Sequence, residues 1–289
     1  MFEGFERRRV DAAGTEINLV VGGSGPPVLL LHGYPQTHAM WHRVAPALAR
    51  RRTVVAADLR GYGDSAHPPG GDDHAGYSKR AMAADQAAVM TALGFERFAV
   101  VGHDRGARVG HRLALDHPGR VEKLAVLDIC PTLYMFERTD LAFAAAYYHW
   151  FFLIQKAPLP ETLIGADPAF YLRWTMTRLT GADPFAHEAM AEYLRCFTRP
   201  GTIHSTCEDY RAAASIDLDH DRADHGRKLA CPLLALWGEK GVVGRLYDVL
   251  AVWRDHADIV GGRGLPCGHY IPEEQPEATV AELEDFLGG

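Results

Sequence analysis

Short apolar runs, each closed by glycine, proline or a polar residue, set the rhythm of the first half of the chain. Arg7–Asp11 and Glu16–Val21, separated by Ala13-Gly14 and followed by Gly22-Gly-Ser-Gly-Pro-Pro27, read as an N-terminal β-hairpin and the turn that closes it. That glycine-rich turn lacks the lysine and the following helix that a phosphate-binding loop needs. Val28–Leu31, Thr53–Ala57, Arg97–Gly102 and Leu124–Leu127 are short and almost wholly apolar, which predicts buried strands. Arg105–His117 carries apolar residues at helical spacing until Pro118-Gly119 stops it. Strands alternating with helices up to Asp128 predict a mostly parallel sheet joined by right-handed crossovers.

The rhythm breaks after Cys130-Pro131. From Thr132 to Lys228 the spacing is helical, cut into short segments by Pro158, Pro160, Pro168, Pro184 and Pro200, with no run that reads as a strand. Within it, Asp217–His225 mixes acids with basic and small residues and is expected to be a solvated loop rather than a metal site. Sheet rhythm returns at Pro232–Trp237 and Ala257–Val260, and an amphipathic helix is predicted over 273–287. The fold class expected is α/β: residues 1–131 and 229–289 form a mostly parallel sheet flanked by helices, and residues 132–228 form an inserted all-helical cap.

Composition removes whole classes of function. A chain of 289 residues with 47% hydrophobic content can bury a full core. A net charge of −7, with no basic run longer than Arg7-Arg8-Arg9 or Arg50-Arg51-Arg52, argues against a nucleic-acid partner. No stretch of about 18 apolar residues exists and the N-terminus has no apolar leader segment, so no membrane partner and a cytoplasmic location are expected. Five widely spaced cysteines without a Cys-x-x-Cys pair point to reduced thiols, and neither a metal nor a cofactor is expected.

Candidate chemistry concentrates in Gly102-His103-Asp104-Arg105-Gly106-Ala107. This is the small-x-nucleophile-x-small-small form of a nucleophile elbow, where flanking side chains would collide with the neighbouring strand and helix. The nucleophile position holds Asp104, and none of the five serines sits in a Gly-x-Ser-x-Gly frame, which disfavours a serine hydrolase. In open α/β sheets active sites gather beyond the carboxyl ends of the strands, which singles out His32-Gly33-Tyr34, Asp58, Asp104, Asp128, Glu239 and His269. A carboxylate is ionised at neutral pH and can displace a leaving group from saturated carbon, giving an ester. Hydrolysing that ester requires a general base, for which His269 is the candidate, with a carboxylate to hold its tautomer. Asp128 and Glu239 both qualify for that last role, and the shorter Asp128 is preferred because it holds geometry better. Arg105 and Arg108 lie three apart at the start of the helix, on one face beside Asp104, and guanidinium groups suit a substrate carboxylate.

Asp104 with Arg105 and Arg108, the His32-Gly-Tyr-Pro-Gln36 turn, Asp128, His149-Trp150-Phe-Phe-Leu-Ile-Gln155, Glu208-Asp-Tyr210-Arg-Ala-Ala-Ala-Ser215 and His269 together closely resemble the haloacetate (fluoroacetate) dehalogenases of the α/β-hydrolase superfamily. The resemblance covers nearly the whole chain. It implies that Asp104 attacks the halogen-bearing carbon of a small haloacid, that Arg105 and Arg108 clamp its carboxylate, and that His149, Trp150 and Tyr210 hold the departing halide. It further implies that His269 and Asp128 hydrolyse the ester, that the backbone N–H groups of Tyr34 and Arg105 serve the oxyanion, and that the protein is a homodimer. Tyr34 departs from the family's usual phenylalanine, and its ring is expected to alter the pocket. An epoxide hydrolase would share the Asp-His-Asp set and draw on cap tyrosines such as Tyr147, Tyr148, Tyr171, Tyr193 and Tyr210. A neutral epoxide has no use for the arginine pair.

Overall fold

The computed structural model describes residues 1–12, 14–180 and 183–288. One sheet is built from β1 (Glu6–Ala12), β2 (Thr15–Gly23), β3 (Pro27–Leu31), β4 (Thr53–Ala57), β5 (Phe98–His103), β6 (Val121–Leu127), β7 (Leu233–Gly238) and β8 (Val260–Leu265). The strands lie in the order β1-β2-β4-β3-β5-β6-β7-β8, antiparallel where β2 meets β1 and β4 and parallel from there to β8. The expected N-terminal hairpin is present, although Ala13 of its turn lies outside the described residues. β5 is buried at every position, which is why its sequence shows no alternation of apolar and polar residues.

Two expectations are corrected. The last strand runs Val260–Leu265 rather than Ala257–Val260, and three of its six residues are glycine. A Cβ at Gly262, whose φ is +140°, would run into the backbone of Ala235 on β7, so this strand needs glycine where a sequence reader looks for valine or isoleucine. The segment expected as a solvated loop is largely the helix Ile216–Ala223. Its Asp217 is buried against Lys79, and Asp221 and Asp224 pair with Arg112 of the helix that follows β5. The acids that suggested solvent instead bind this helix to the sheet layer.

Between β6 and β7 the described residues form eight helices, from Thr132–Glu137 to Ile216–Ala223, and no strand. Prolines here start helices: Pro160 and Pro168 stand in the first turns of Leu159–Ala166 and Pro168–Thr177, where a missing N–H costs nothing. Among the described residues no helix is long and apolar enough to cross a membrane.

The sheet presents Asp104 at the carboxyl end of β5, where the chain turns at once into the helix Arg105–Asp116. A Cβ on Gly102 would lie 2.5 Å from Ala107 Cα, so the helix can return across the strand only over glycine. Gly102→Ala is therefore expected to cost ~1–3 kcal/mol, as overpacking against a rigid backbone does. Urea unfolding followed by circular dichroism measures this, and an unchanged midpoint would contradict the close packing at the elbow.

Candidate active site

Asp104 adopts φ 46° and ψ −114°, a backbone conformation that costs a non-glycine residue on the order of 1–3 kcal/mol. Oδ1 is buried with no hydrogen-bond partner among the described residues, and Oδ2 lies 3.8 Å from His269 Nε2, too far for a direct hydrogen bond. Burial opposes ionisation, but His269 and the guanidinium groups of Arg105 and Arg108 outweigh it and hold this carboxyl below its ordinary range.

His269 is fixed from three sides. Asp128, at φ 53° just beyond β6, places Oδ2 2.6 Å from His269 Nδ1, while its Oδ1 accepts the Gly238 N–H at 2.9 Å. Glu239, the other candidate for this place, is exposed. The Glu274 carboxylate accepts the N–H groups of Gly268 and Tyr270 at 2.8 and 2.9 Å, bracing the backbone on both sides of His269. His103, the residue before Asp104, donates from Nε2 to the His269 carbonyl at 2.8 Å. Burial lowers the proton affinity of His269, yet the hydrogen bond and charge of Asp128, with Asp104 behind them, raise it above the ordinary value. Burial and the nearby His269 push His103 down to about 3, so it stays neutral.

The two arginines are placed differently from each other. The Arg105 guanidinium lies 4.2 Å from the Tyr210 ring centre and that of Arg108 lies 4.8 Å from the Trp150 ring centre, so each is tied to a helix beyond β6. Arg105 is paired with Asp209 through Nη2 at 2.6 Å and Nε at 2.9 Å. Arg108 donates from Nη1 to the Cys130 carbonyl and the Thr132 hydroxyl, both at 3.0 Å. Arg105 Nη1 and Arg108 Nε remain buried without acceptors among the described residues.

His149, Trp150 and Tyr210 do come together, with ring centres of His149 and Trp150 at 5.8 and 6.3 Å from that of Tyr210. Arg178 Nη2 lies 2.9 Å from His149 Nδ1, and since a guanidinium only donates, the histidine proton sits on Nε2. Burial, reinforced by Arg178, pushes His149 down to about 3 and keeps it a neutral donor. The Tyr210 hydroxyl is buried without a partner among the described residues. The Tyr34 ring stacks on His149 at 6.1 Å with planes 9° apart, so the residue that departs from the family pattern forms a wall of this cluster. Tyr34 and Arg105 follow directly on His32-Gly33 and Asp104, and Arg105, as the first residue of its helix, has a backbone N–H with no intrahelical acceptor.

Sequence reasoning missed Arg178, Asp209, Glu274 and His103. Asp209 and His103 stood inside motifs named above, but their partners lie 104 and 166 residues away; Arg178 reaches His149 across 29 residues, and Glu274 accepts backbone N–H groups six and four residues before it. A cluster of Asp64, Glu192 and Cys196 could in principle hold a cation. Arg195 and Arg199 already occupy Asp64 at 2.7 Å each, which makes it an ion-pair network.

The chain matches the α/β hydrolase fold family over residues 26–274. It is 52% identical to the fluoroacetate dehalogenase of Burkholderia sp, across 99% of this chain and 95% of the relative. The soluble epoxide hydrolase of Corynebacterium sp. (strain C12) is 36% identical across 95% of this chain and 94% of its own. Among solved structures, a provisionally described α/β hydrolase from Nostoc sp shares 60% identity with a TM-score of 0.98, covering 99% of each chain.

The electrostatics of His269 are directly measurable. Its folded pKa is expected above the unperturbed value of about 6.5, so its contribution to stability is complete below that value and declines as pH rises through the folded pKa. In Asp128→Asn the largest raising influence is gone, and the His269 resonance should titrate at lower pH in a two-dimensional NMR series. The same titration midpoint in both proteins would mean that the Asp128 contact does not control the ring.

Proposed function

This chain belongs to the α/β-hydrolase superfamily and, within it, to the haloacetate dehalogenase family, and from that premise we propose that it hydrolyses fluoroacetate and chloroacetate to glycolate and halide. The observation that carries the reading is the pair of buried guanidinium groups acting on the buried Asp104 carboxylate. Each guanidinium keeps a buried donor without an acceptor among the described residues, Nη1 on Arg105 and Nε on Arg108, which the carboxylate of a haloacetate would satisfy and a neutral epoxide would not. Asp104, Arg105, Arg108, Asp128, His149, Trp150, Tyr210 and His269 are each no more than 6% exposed, so the site suits a small substrate.

In the proposed sequence the substrate carboxylate binds to Arg105 and Arg108, and an Asp104 oxygen attacks the carbon bearing the halogen. The carbon-halogen pair leaves with the halide, and a covalent ester joins substrate to Asp104. Neutral donors on His149, Trp150 and Tyr210 replace the water that a departing fluoride would otherwise need. Ester formation abolishes the Asp104 charge, which is one of the influences raising His269. The imidazole thus becomes easier to deprotonate when a base is required. His269 Nε2 takes a proton from water, the hydroxide adds to the Asp104 carbonyl, and the backbone N–H groups of Tyr34 and Arg105 receive the oxyanion. Collapse expels glycolate, whose alkoxide recovers the proton from His269, and the carboxylic acid left at Asp104 releases its proton to solvent, which regenerates the carboxylate with net loss of one proton and one halide.

Residues 1–131 and 229–289 are proposed as the catalytic core and 132–228 as the cap that supplies the halide donors. We further propose a cytoplasmic homodimer. Phe170 and Trp174 stack on the outer face of one cap helix and are 63% and 53% exposed, a face that a second copy could cover.

Halide release from fluoroacetate and chloroacetate, run beside styrene oxide hydrolysis, tests the substrate class. The haloacetates should react and styrene oxide should not; the reverse pattern would make the chain an epoxide hydrolase. His269→Asn should lose ~10²–10⁴-fold in turnover while still releasing one halide per site. Its mass should rise by one carboxymethyl group, and unmodified protein without a halide burst would sink the ester mechanism.

A further inference from the structure

A line of buried charges runs from the arginines towards the helix Ile216–Ala223 and has no part in the chemistry above. Asp209 precedes Tyr210 on the helix Thr202–Ala213 and is fully buried. Its Oδ1 and Oδ2 accept Arg105 Nη2 at 2.6 Å and Arg105 Nε at 2.9 Å, and its backbone carbonyl accepts Nη2 at 2.9 Å. Lys79 Nζ pairs with Oδ1, and the Tyr62 hydroxyl donates to Oδ2 at 2.6 Å. Lys79 also reaches Asp217 Oδ2 at 3.3 Å, on the helix Ile216–Ala223.

A guanidinium has five N–H donors arranged along fixed edges, so what one edge binds decides what the other can offer. Asp209 fills the Nε/Nη2 edge of Arg105. Nη1, which points away from that edge, is buried without an acceptor among the described residues. We propose that Asp209 is a positioning residue: it turns Arg105 so that Nη1 is the donor left for the substrate carboxylate and, by neutralising this arginine, restricts the site to one small monoanion. Arg108, whose Nε is also unpartnered, is then the guanidinium with no carboxylate hydrogen-bonded to it among the described residues. This inference rests on the reading that the two arginines receive the substrate carboxylate.

The test compares full-length wild type with Asp209→Asn, Tyr62→Phe, Asp217→Asn and Arg108→Leu. Each is assayed for chloroacetate kinetics, for inhibition by acetate as an unreactive carboxylate, and for thermal midpoint. Asp209→Asn should raise the KM for chloroacetate and the inhibition constant of acetate by at least ~tenfold, with kcat changing less, because Arg105 is no longer held. Tyr62→Phe, which removes one hydrogen bond to Asp209, should raise both by ~2–5-fold. Asp217→Asn touches neither arginine and should lower the midpoint while leaving acetate inhibition unchanged. Unchanged acetate inhibition in folded Asp209→Asn overturns the proposal, as does unchanged inhibition in Tyr62→Phe if Asp209→Asn fails to fold. An equal rise in Asp217→Asn also overturns it, since the network would then act only on stability. Unchanged haloacetate KM in Arg108→Leu overturns the carboxylate-binding reading itself. Weakened binding there with none in Asp209→Asn removes only the role of Asp209.

Discussion

Asp104 must stay ionised while buried, with one oxygen lacking any hydrogen bond among the described residues, and the surrounding structure is organised around that requirement. A buried carboxylate normally escapes its desolvation cost by taking up a proton. Here His269, Arg105 and Arg108 prevent this from three directions. None of the three can approach freely: His269 is held by Asp128, Glu274 and His103, Arg105 by Asp209, and Arg108 by Cys130 and Thr132. The carboxylate is therefore kept charged by groups at a distance, with no hydrogen bond to it among the described residues, which would leave its lone pairs available for the proposed attack.

The same arrangement joins the sheet to the helices between β6 and β7. Arg105 and Arg108 start a helix of the sheet layer, yet their guanidinium groups lie over Tyr210 and Trp150. Helices that would bring donors to a leaving group are thus anchored by the residues that would bind the substrate. In the opposite direction, the charge on Asp104 feeds back on His269, so loss of that charge on ester formation would prepare the base for the second step. Electrostatic coupling of this kind needs no movement of the two side chains.

What could be read from the sequence follows from how local each constraint is. The elbow was legible because close helix-strand contact demands small residues at 102, 106 and 107, whatever else the fold does. Asp128 could be preferred to Glu239 on side-chain length, and the structure places it 2.6 Å from His269. β8 was displaced in the reading because three of its six residues are glycine, and at Gly262 that choice is set by contact with Ala235 on the neighbouring strand. Asp217–His225 looked solvated because its partners, Lys79 and Arg112, are far away in sequence. Asp209 and Arg178 were missed for a related reason: what each does depends on where its partner is placed by the fold, whereas Glu274 acts on backbone N–H groups only six and four residues before it.

Isotope labelling of Asp104 tests the central claim most directly. Enzyme in excess is given chloroacetate in heavy-oxygen water for a single turnover, and both the glycolate and the peptide containing Asp104 are analysed by mass spectrometry. If the Asp104 carboxylate attacks carbon and water then attacks the ester, the first glycolate carries an ordinary oxygen and the label enters Asp104. Label in the first glycolate with none in Asp104 would mean that water attacks the substrate directly, and the buried carboxylate would then not be a nucleophile.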